Sequence, residues 1–123
     1  MITNVNRMLV TVVITTLNRP LVVRSAIESV LAQTYEQVET IVVEDGSDVG
    51  IKTWLKQNSY NNITYIRHPK NRGLAAARNT GLKLSNGQFI GYLDDDDEWK
   101  PEKLERQINR LSELRLDANQ KLG

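Results

Sequence analysis

Four short apolar segments alternate with four helical segments along the chain. The first, residues 9–15, is β-branched and almost continuously apolar, which is typical of a strand that is buried on both faces. The other predicted strands are residues 38–43, 63–67 and 89–93. Strands separated by helical crossovers pair in parallel, because each crossover returns the chain to the same end of the sheet. The sequence therefore predicts an α/β fold with a Rossmann-like, mostly parallel sheet and flanking helices.

The segments between the strands have the periodicity of helices. Val23, Ile27 and Val30 recur at spacings of four and three, which puts them on one face of the first helix. Asn18 is the predicted amino-terminal cap of that helix, with Pro20 in its first turn. The other helices are predicted over about residues 51–57, from Leu74 onward and from Pro101 onward.

Composition is that of an ordinary globular domain. The 123 residues suffice for a single core, and the net charge of +1 gives no reason to expect nucleic acid as a partner. The absence of cysteine excludes a disulfide framework. No apolar run suits a transmembrane helix, and residues 1–7 lack the apolar region of a secretory signal. We expect one domain over residues 1–123, located in the cytoplasm or peripherally at a membrane.

Five consecutive acids, residues 94–98, directly follow the fourth predicted strand. Two neighbouring carboxylates about 5 Å apart repel by roughly 3 kcal/mol at an effective dielectric constant of about 20. Water, protonation or a cation can relieve this repulsion, and most charge runs are solvated loops. Here the run lies between a strand of buried type and a packed helix start at Trp99 and Pro101. That position favours a divalent metal, held by one or two carboxylates and completed by substrate phosphates.

Three strand ends bring polar side chains to one edge of the predicted sheet. The first strand leads into Thr-Thr-Leu-Asn (residues 15–18), the second into Glu-Asp-Gly-Ser (44–47) and the fourth into the acid run. Ligands of open α/β sheets bind at this carboxyl edge. A hydroxyl, an acid pair and a cluster that can bind a metal together suit a nucleotide. A Walker loop and a Gly-x-Gly-x-x-Gly fingerprint are both absent, which argues against those two classes of phosphate site.

Four motifs in order resemble the amino-terminal, nucleotide-sugar-binding half of family 2 glycosyltransferases, which have the GT-A fold. The matching segments are residues 12–20 (VVITTLNRP), 41–47 (IVVEDGS), 71–81 (NRGLAAARNTG) and 92–99 (YLDDDDEW). Each motif is weak alone, but together they extend over most of residues 9–111. The resemblance implies an inverting transfer of a sugar in polysaccharide biosynthesis. Its donor would be a nucleotide-diphosphate sugar, a UDP-sugar by default, its acceptor a sugar, glycan or lipid, and its cofactor Mn²⁺ or Mg²⁺.

The resemblance also implies roles for individual residues. Asp94 and Asp96 would bind the metal that bridges the donor diphosphate, and Asp95 would reach the ribose or the metal shell. Asp45 would contact the nucleobase, with Thr15 beside it. The remaining nucleotide-binding candidates are Glu44, which stands where the family more often has Asp, and Arg78.

Two conspicuous side chains are given structural interpretations. His68 is the only histidine and lies in a polar loop, where we expect it to be solvated and without a role. Trp99 is expected to anchor the start of the last helix.

In the family, the general base lies beyond the metal motif. Only about two dozen residues follow Asp97, and no motif identifies Glu102, Glu105 or Glu113 as that base. We therefore expect the chain to be the donor-binding half of a glycosyltransferase, truncated at its carboxyl end, with uncovered apolar faces that favour self-association. One alternative is a non-catalytic nucleotide- or metal-binding module that recruits a partner. Another is a phosphotransfer domain, which would need a well-placed lysine that we do not find.

Overall fold

The computed structural model describes residues 8–47, 50–60 and 62–122, with side chains as far as Leu114. Residues 1–7, on which the expectation of no secretory signal depends, lie outside these ranges. Within them, strands and helices alternate as β1 (Val10–Thr16), α1 (Val22–Leu31), β2 (Val38–Glu44), α2 (Lys52–Gln57), β3 (Thr64–Arg67), α3 (Leu74–Leu84), β4 (Phe89–Asp94) and α4 (Lys103–Leu122). The predicted α/β class is confirmed.

The strands of the described residues form one parallel sheet in the order β3-β2-β1-β4. The chain builds outward from β1 through β2 to β3 and then crosses to the other side of β1 to add β4. In the resulting register, Thr15 of β1 lies beside Val43 of β2 and Asp94 of β4. The reversal of strand order makes a topological switch point between the carboxyl ends of β1 and β4, where α/β folds bind ligands.

Each face of the sheet has its own core, because successive side chains of a strand point to opposite faces. The larger core lies on the face covered by α1, α2 and α4, and its buried members include Val12, Ile14, Ile27, Val42, Leu55 and Ile108. The smaller core lies on the other face, where Ala77 of α3 packs with Val13, Ile41 and Val43. Polar residues directly after a strand continue this alternation, so their side chains also point to opposite faces of the sheet.

A glycine lets α3 approach β1 closely. A Cβ added to Gly81 would lie 2.3 Å from Cγ1 of Val13, well inside van der Waals contact. The unfavourable helix propensity of Gly81, about 1 kcal/mol relative to alanine, is therefore offset by the packing of α3 on the sheet.

The loop between β1 and α1 differs from the prediction. Asn18 has a left-handed backbone, with φ of 52°, and the first helical hydrogen bond runs from the Val23 N–H to the Arg19 carbonyl at 3.0 Å. The Asn18 N–H instead donates to Ser47 Oγ at 2.9 Å, which ties this loop to the one after β2. The predicted cap at Asn18 is wrong, whereas the predicted apolar face of α1 is buried.

Only Leu93 of the six residues of β4 is buried, although the sequence of this strand is apolar. The reason is that β4 is an edge strand of the sheet. Trp99 packs across it, with its indole 3.0 Å from the point where a Cβ on Gly91 would lie. Trp99 thus anchors the start of α4, as predicted. A groove of about 600 Å³ lies between β4 and α4.

Within residues 8–47, 50–60 and 62–122, the structure has no helix that is both long enough and apolar enough to cross a membrane.

Candidate functional site

A pocket of about 490 Å³ opens at the switch point between β1 and β4. Its walls come from the loops after β1, β2 and β4 and from the start of α3. Five of the seven residues that the sequence singles out line it, namely Thr15, Asp45, Asp94, Asp95 and Asp96. Glu44 and Arg78 are not part of the described lining. The convergence of three strand ends therefore brings together most of the predicted site.

The acid run begins with a tight turn, residues 94–97, which we call the acid turn. The Asp97 N–H donates to the Asp94 carbonyl oxygen at 3.1 Å and closes this turn. The side chains of Asp94 and Asp96 are 55% and 62% exposed, whereas that of Asp95 is 11% exposed. In the pocket lining, the turn therefore presents two solvated carboxylates, Asp94 and Asp96, and buries the one between them.

Asp95 joins the end of β4 to the end of β1. The Thr16 hydroxyl donates to Asp95 Oδ2 at 2.9 Å, and Arg19 Nη1 donates to Asp95 Oδ1 at 3.2 Å. Neither Thr16 nor Arg19 is among the nucleotide- or metal-binding residues that the sequence predicts. The signal that could have found Thr16 is strand alternation, which points it to the opposite face from Thr15 and towards Asp95.

The two exposed carboxylates fit a hard divalent cation. Carboxylate oxygens are the ligands that Mg²⁺ and Mn²⁺ prefer. Among the residues that the structure describes, no three acid, histidine or cysteine side chains converge on one point. Mg²⁺ is usually held by one or two carboxylates, with water and substrate phosphates in the other positions. Asp94 and Asp96, on the wall of an open pocket, suit that arrangement.

Arg78 lies beside the acid turn. Its Nη2 is 3.4 Å from Asp94 Oδ1, and its guanidinium carbon is 5.6 Å from the centre of the Tyr92 ring. The ring face and the carboxylate both favour a cation at this position. Its Nε is buried and has no hydrogen-bond partner within the described part of the chain.

Asp45 holds the loop that precedes α3, residues 68–73, which we call the β3–α3 loop. Its Oδ1 accepts hydrogen bonds from His68 Nδ1 at 2.8 Å and from the Arg72 N–H at 2.9 Å, and its Oδ2 accepts one from the Gly73 N–H at 2.8 Å. Burial alone would raise the pKa of Asp45, but these hydrogen bonds stabilise the carboxylate, and the net pKa is lowered. The ionised carboxylate of Asp45 therefore holds the β3–α3 loop, which forms one wall of the pocket.

Gly46 lets the β3–α3 loop close over Asp45. Its φ is +82°, and an added Cβ would lie 2.3 Å from the Asn71 nitrogen and 2.4 Å from the Lys70 carbonyl carbon. Any other residue would meet backbone atoms there, in a conformation that L-residues rarely adopt. The Asp45-Gly46 pair therefore works as a unit, because one residue binds the loop and the other makes room for it.

His68 is not solvated, contrary to the expectation from its polar loop. It is 4% exposed, with Nδ1 on Asp45 and Nε2 2.8 Å from Thr80 Oγ1 of α3. The Thr80 hydroxyl also lies 3.0 Å from the Ala76 carbonyl oxygen. The expectation was wrong because the loop folds under α3, where the buried carboxylate of Asp45 requires donors. His68 lies two residues beyond Ile66, whose side chain packs on the same face of the sheet.

Glu44 is buried on the opposite side of the sheet from Asp45. Its Oε1 accepts hydrogen bonds from the Ile51 N–H at 2.8 Å and from the Tyr65 hydroxyl. Burial, together with the hydrogen bond to Glu44, raises the pKa of Tyr65 well above its usual value. The structure therefore gives Glu44 a position at the start of α2 and does not bring it to the pocket.

The sequence matches the model of the family "Glycosyl transferase family 2" over residues 11–120. One curated relative is the Escherichia coli enzyme named UDP-Glc:alpha-D-GlcNAc-diphosphoundecaprenol beta-1,3-glucosyltransferase WfgD. It is 36% identical over 103 residues, which cover 84% of this chain and 41% of the relative. The chain therefore spans less than half the length of this relative, and only 15% of another curated relative.

Solved structures share the fold. The mannosyltransferase PcManGT from Pyrobaculum calidifontis, in complex with GDP-Man and Mn²⁺, matches with a TM-score of 0.68 and 26% identity, over 76% of this chain and 29% of its own. S. aureus TarS 1–349, in complex with UDP-GlcNAc, matches with a TM-score of 0.77 and 24% identity, over 86% of this chain and 32% of its own. The expected GT-A fold is thereby confirmed.

Proposed function

The chain belongs to glycosyl transferase family 2, and from this membership we propose that it binds the donor, a nucleotide-diphosphate sugar, for a metal-assisted glycosyl transfer. The observation that carries the proposal is the convergence of Thr15, Asp45, Asp94 and Asp96 on one pocket at the switch point. The sugar nucleotides bound by PcManGT and TarS support the class of ligand. UDP is the nucleotide that we expect first.

Asp94 and Asp96 would hold Mn²⁺ or Mg²⁺ in this proposal. A bound divalent metal would act as a Lewis acid that stabilises the leaving diphosphate. Asp95 would hold the acid turn in position through its hydrogen bonds with Thr16 and Arg19. The ribose of the donor would lie on the pocket side of Asp95. Support for this division comes from the exposure of the two outer carboxylates and the burial of the middle one.

The nucleoside would lie between the β1 loop and the β3–α3 loop. Thr15 and Asp45 line that part of the pocket, and Leu17 and Leu74 add apolar surface against which a flat base can pack. Because the three hydrogen bonds that the Asp45 carboxylate accepts all come from the β3–α3 loop, its main contribution would be to shape the base site. Arg78 would steady Asp94, and a direct contact of Glu44 with the nucleotide stays a prediction.

The acceptor side of the transfer needs a base that removes the proton of the acceptor hydroxyl. In the described lining, carboxylates come only from Asp45 and the acid turn, and Glu102, Glu105 and Glu113 are not part of it. We propose that other groups provide the base and acceptor site and that the transfer inverts the anomeric carbon. A sugar, glycan or lipid acceptor in polysaccharide biosynthesis is supported by the lipid-diphosphate sugar in the name of WfgD.

Isothermal titration calorimetry with UDP tests the donor site. We expect saturable binding in the presence of Mn²⁺ and at least tenfold weaker binding in EDTA, because the diphosphate and the acid turn repel each other without a metal. Uridine is the matched control ligand, since it keeps the base and ribose but lacks the diphosphate, and its affinity should not respond to Mn²⁺. The proposal would fail if no nucleoside diphosphate bound in a metal-dependent manner.

A non-catalytic nucleotide-binding module that acts through a partner is the second candidate. The observation that favours it is the lack of a solvated carboxylate in the described pocket lining outside the acid turn. An assay of sugar transfer by the purified chain tests this candidate, and transfer would also contradict the proposal that other groups provide the base. Transfer at ordinary enzyme rates would exclude the non-catalytic module.

We also propose that the chain self-associates through the groove between β4 and α4. Tyr92 and Leu114 line this groove and are exposed, and β4 leaves one edge of the sheet unpaired within the described residues. Sedimentation velocity should show a dimer whose proportion rises with protein concentration. A monomer at all concentrations, without binding of a hydrophobic dye, would contradict the proposal.

A further inference from the structure

Arg19 extends from the loop after β1 into the acid turn. Its Nη1 lies 3.2 Å from Asp95 Oδ1 and 3.5 Å from Asp96 Oδ2. Its side chain is 50% exposed, and it lines the same pocket as the acids. Arginine is charged at every pH at which the protein is folded. The acid turn therefore has a built-in positive charge on the side where a divalent metal would bind.

The backbone around Arg19 is fixed on both sides. The preceding Asn18 is held in its left-handed conformation by a hydrogen bond to Ser47, and the Arg19 carbonyl accepts the first hydrogen bond of α1. The following Pro20 restricts φ further. The guanidinium can therefore change partners by rotation of its side chain, without movement of the loop.

The two contacts of Arg19 are unequal. Asp95 is nearly buried and also accepts a hydrogen bond from Thr16, whereas Asp96 is mostly exposed and makes the longer contact. Solvated ion pairs are weak, so the contact with Asp96 is the one that another cation can replace. A divalent ion on Asp96 would repel the guanidinium. Arg19 would keep its contact with Asp95, and its remaining N–H groups would be free to pair with the donor diphosphate in the loaded pocket, since arginine pairs well with phosphate oxygens.

We propose that Arg19 is the intrinsic counter-cation of the acid turn, which competes with divalent metal for Asp96 and, when displaced, pairs with the donor diphosphate. This inference rests on the proposed function. It requires effects of opposite sign, since Arg19 weakens the binding of metal alone and strengthens the binding of nucleotide once metal is bound. A residue that only supported the fold would not produce that pattern.

The test is calorimetry on the full chain and on Arg19→Gln. Without nucleotide, Arg19→Gln should bind Mn²⁺ about fivefold more tightly, because a weak competing ion pair is gone. At saturating Mn²⁺, it should bind UDP about tenfold more weakly, because one charged hydrogen bond to phosphate is lost. Arg110→Gln is the matched control. It removes the same charge from an exposed pair with Glu113 on α4 and should change neither affinity.

The outcomes separate this inference from the proposed function. Weaker Mn²⁺ binding by Arg19→Gln, or affinities equal to those of the wild type, would overturn the role of Arg19 and leave the donor site intact. A wild-type chain that bound neither Mn²⁺ nor UDP would overturn both.

Arg19→Lys keeps the inference testable if Arg19→Gln does not fold, because it retains the charge without the bidentate fork. We expect Mn²⁺ binding about twofold tighter than in the wild type, since a strongly hydrated ammonium on a flexible stem holds Asp96 less firmly. UDP binding should be about threefold weaker, since the ammonium lacks the planar fork that pairs with two phosphate oxygens at once. Wild-type values for both ligands would again overturn the role of Arg19.

Discussion

Asp96→Asn is expected to weaken the Mn²⁺-dependent binding of UDP by about 100-fold, or about 2.8 kcal/mol. The Asp96 side chain is the most exposed of the four acids that line the pocket, and its contact with Arg19 is a long one, at 3.5 Å. Asparagine keeps the shape of the side chain but removes the charge that a hard cation requires of its ligand. Asp94→Asn should cause a loss of similar size, since Asp94 is the other solvated carboxylate of the acid turn that lines the pocket.

Calorimetry of UDP at fixed Mn²⁺ measures this effect, and Asp97→Asn is its matched control. Asp97 belongs to the same acid run, and its replacement changes the net charge equally. Its carboxylate accepts the Glu98 N–H at 2.9 Å, and it is not part of the described pocket lining. We expect its UDP affinity to stay within about twofold of the wild type. Equal losses at Asp96 and Asp97 would mean that only general charge matters, and the metal assignment would fail.

Asp45→Asn should lower the free energy of unfolding by about 2–3 kcal/mol at pH 7, because hydrogen bonds to a buried charge are strong. The carboxylate accepts hydrogen bonds from His68, Arg72 and Gly73. An asparagine amide would turn its own donors towards at least one of these groups and leave it unpaired. Because Gly73 and Leu74 line the pocket, UDP affinity should fall together with stability.

The stability lost in Asp45→Asn should depend on pH. The pKa of Asp45 in the folded protein lies below its unfolded value of about 3.8, so the carboxylate stabilises the fold fully above that value. This contribution disappears as the pH falls through the lower, folded pKa. Urea unfolding of both proteins should therefore show a large difference at pH 7 that shrinks below about pH 4.

Asp97→Asn also serves as the control for the unfolding measurements, because it alters an exposed aspartate in the same fold. Its free energy of unfolding should match that of the wild type within about 0.5 kcal/mol at pH 7. If Asp45→Asn were as stable as this control, Asp45 would not hold the β3–α3 loop, and the explanation of its buried position would be wrong.

The architecture could be predicted because its signals are strong and local. β-branched runs separated by helical periodicity specify a parallel sheet, and a parallel sheet gathers its carboxyl ends at one edge. That reasoning alone predicts that Thr15, Asp45 and the acid turn lie close together. The order of the strands, with β4 beside β1, was not part of the prediction, although it creates the switch point.

The failures concern residues whose partners are distant in the chain. Asn18 has the composition of a helix cap, but its N–H is bonded to Ser47, 29 residues away. The polar residues around His68 are typical of a solvated loop, but its side chain is buried and hydrogen-bonded to Asp45. Local propensity contains no information about such partners. Strand alternation does contain some, since it would have put Glu44 and Asp45 on opposite faces and paired Thr16 with Asp95.

The uniform direction of the strands has a practical consequence for biophysical work. The first five residues of β1 separate the pocket from the opposite rim of the sheet by about 17 Å at the usual strand rise. Asn62 lies on that rim, just before β3, and is exposed. The sequence contains no cysteine, so Asn62→Cys would introduce a single thiol for a fluorophore or a surface tether. Ligand binding could then be followed with a label on the rim opposite the pocket, and the acid turn would stay unmodified.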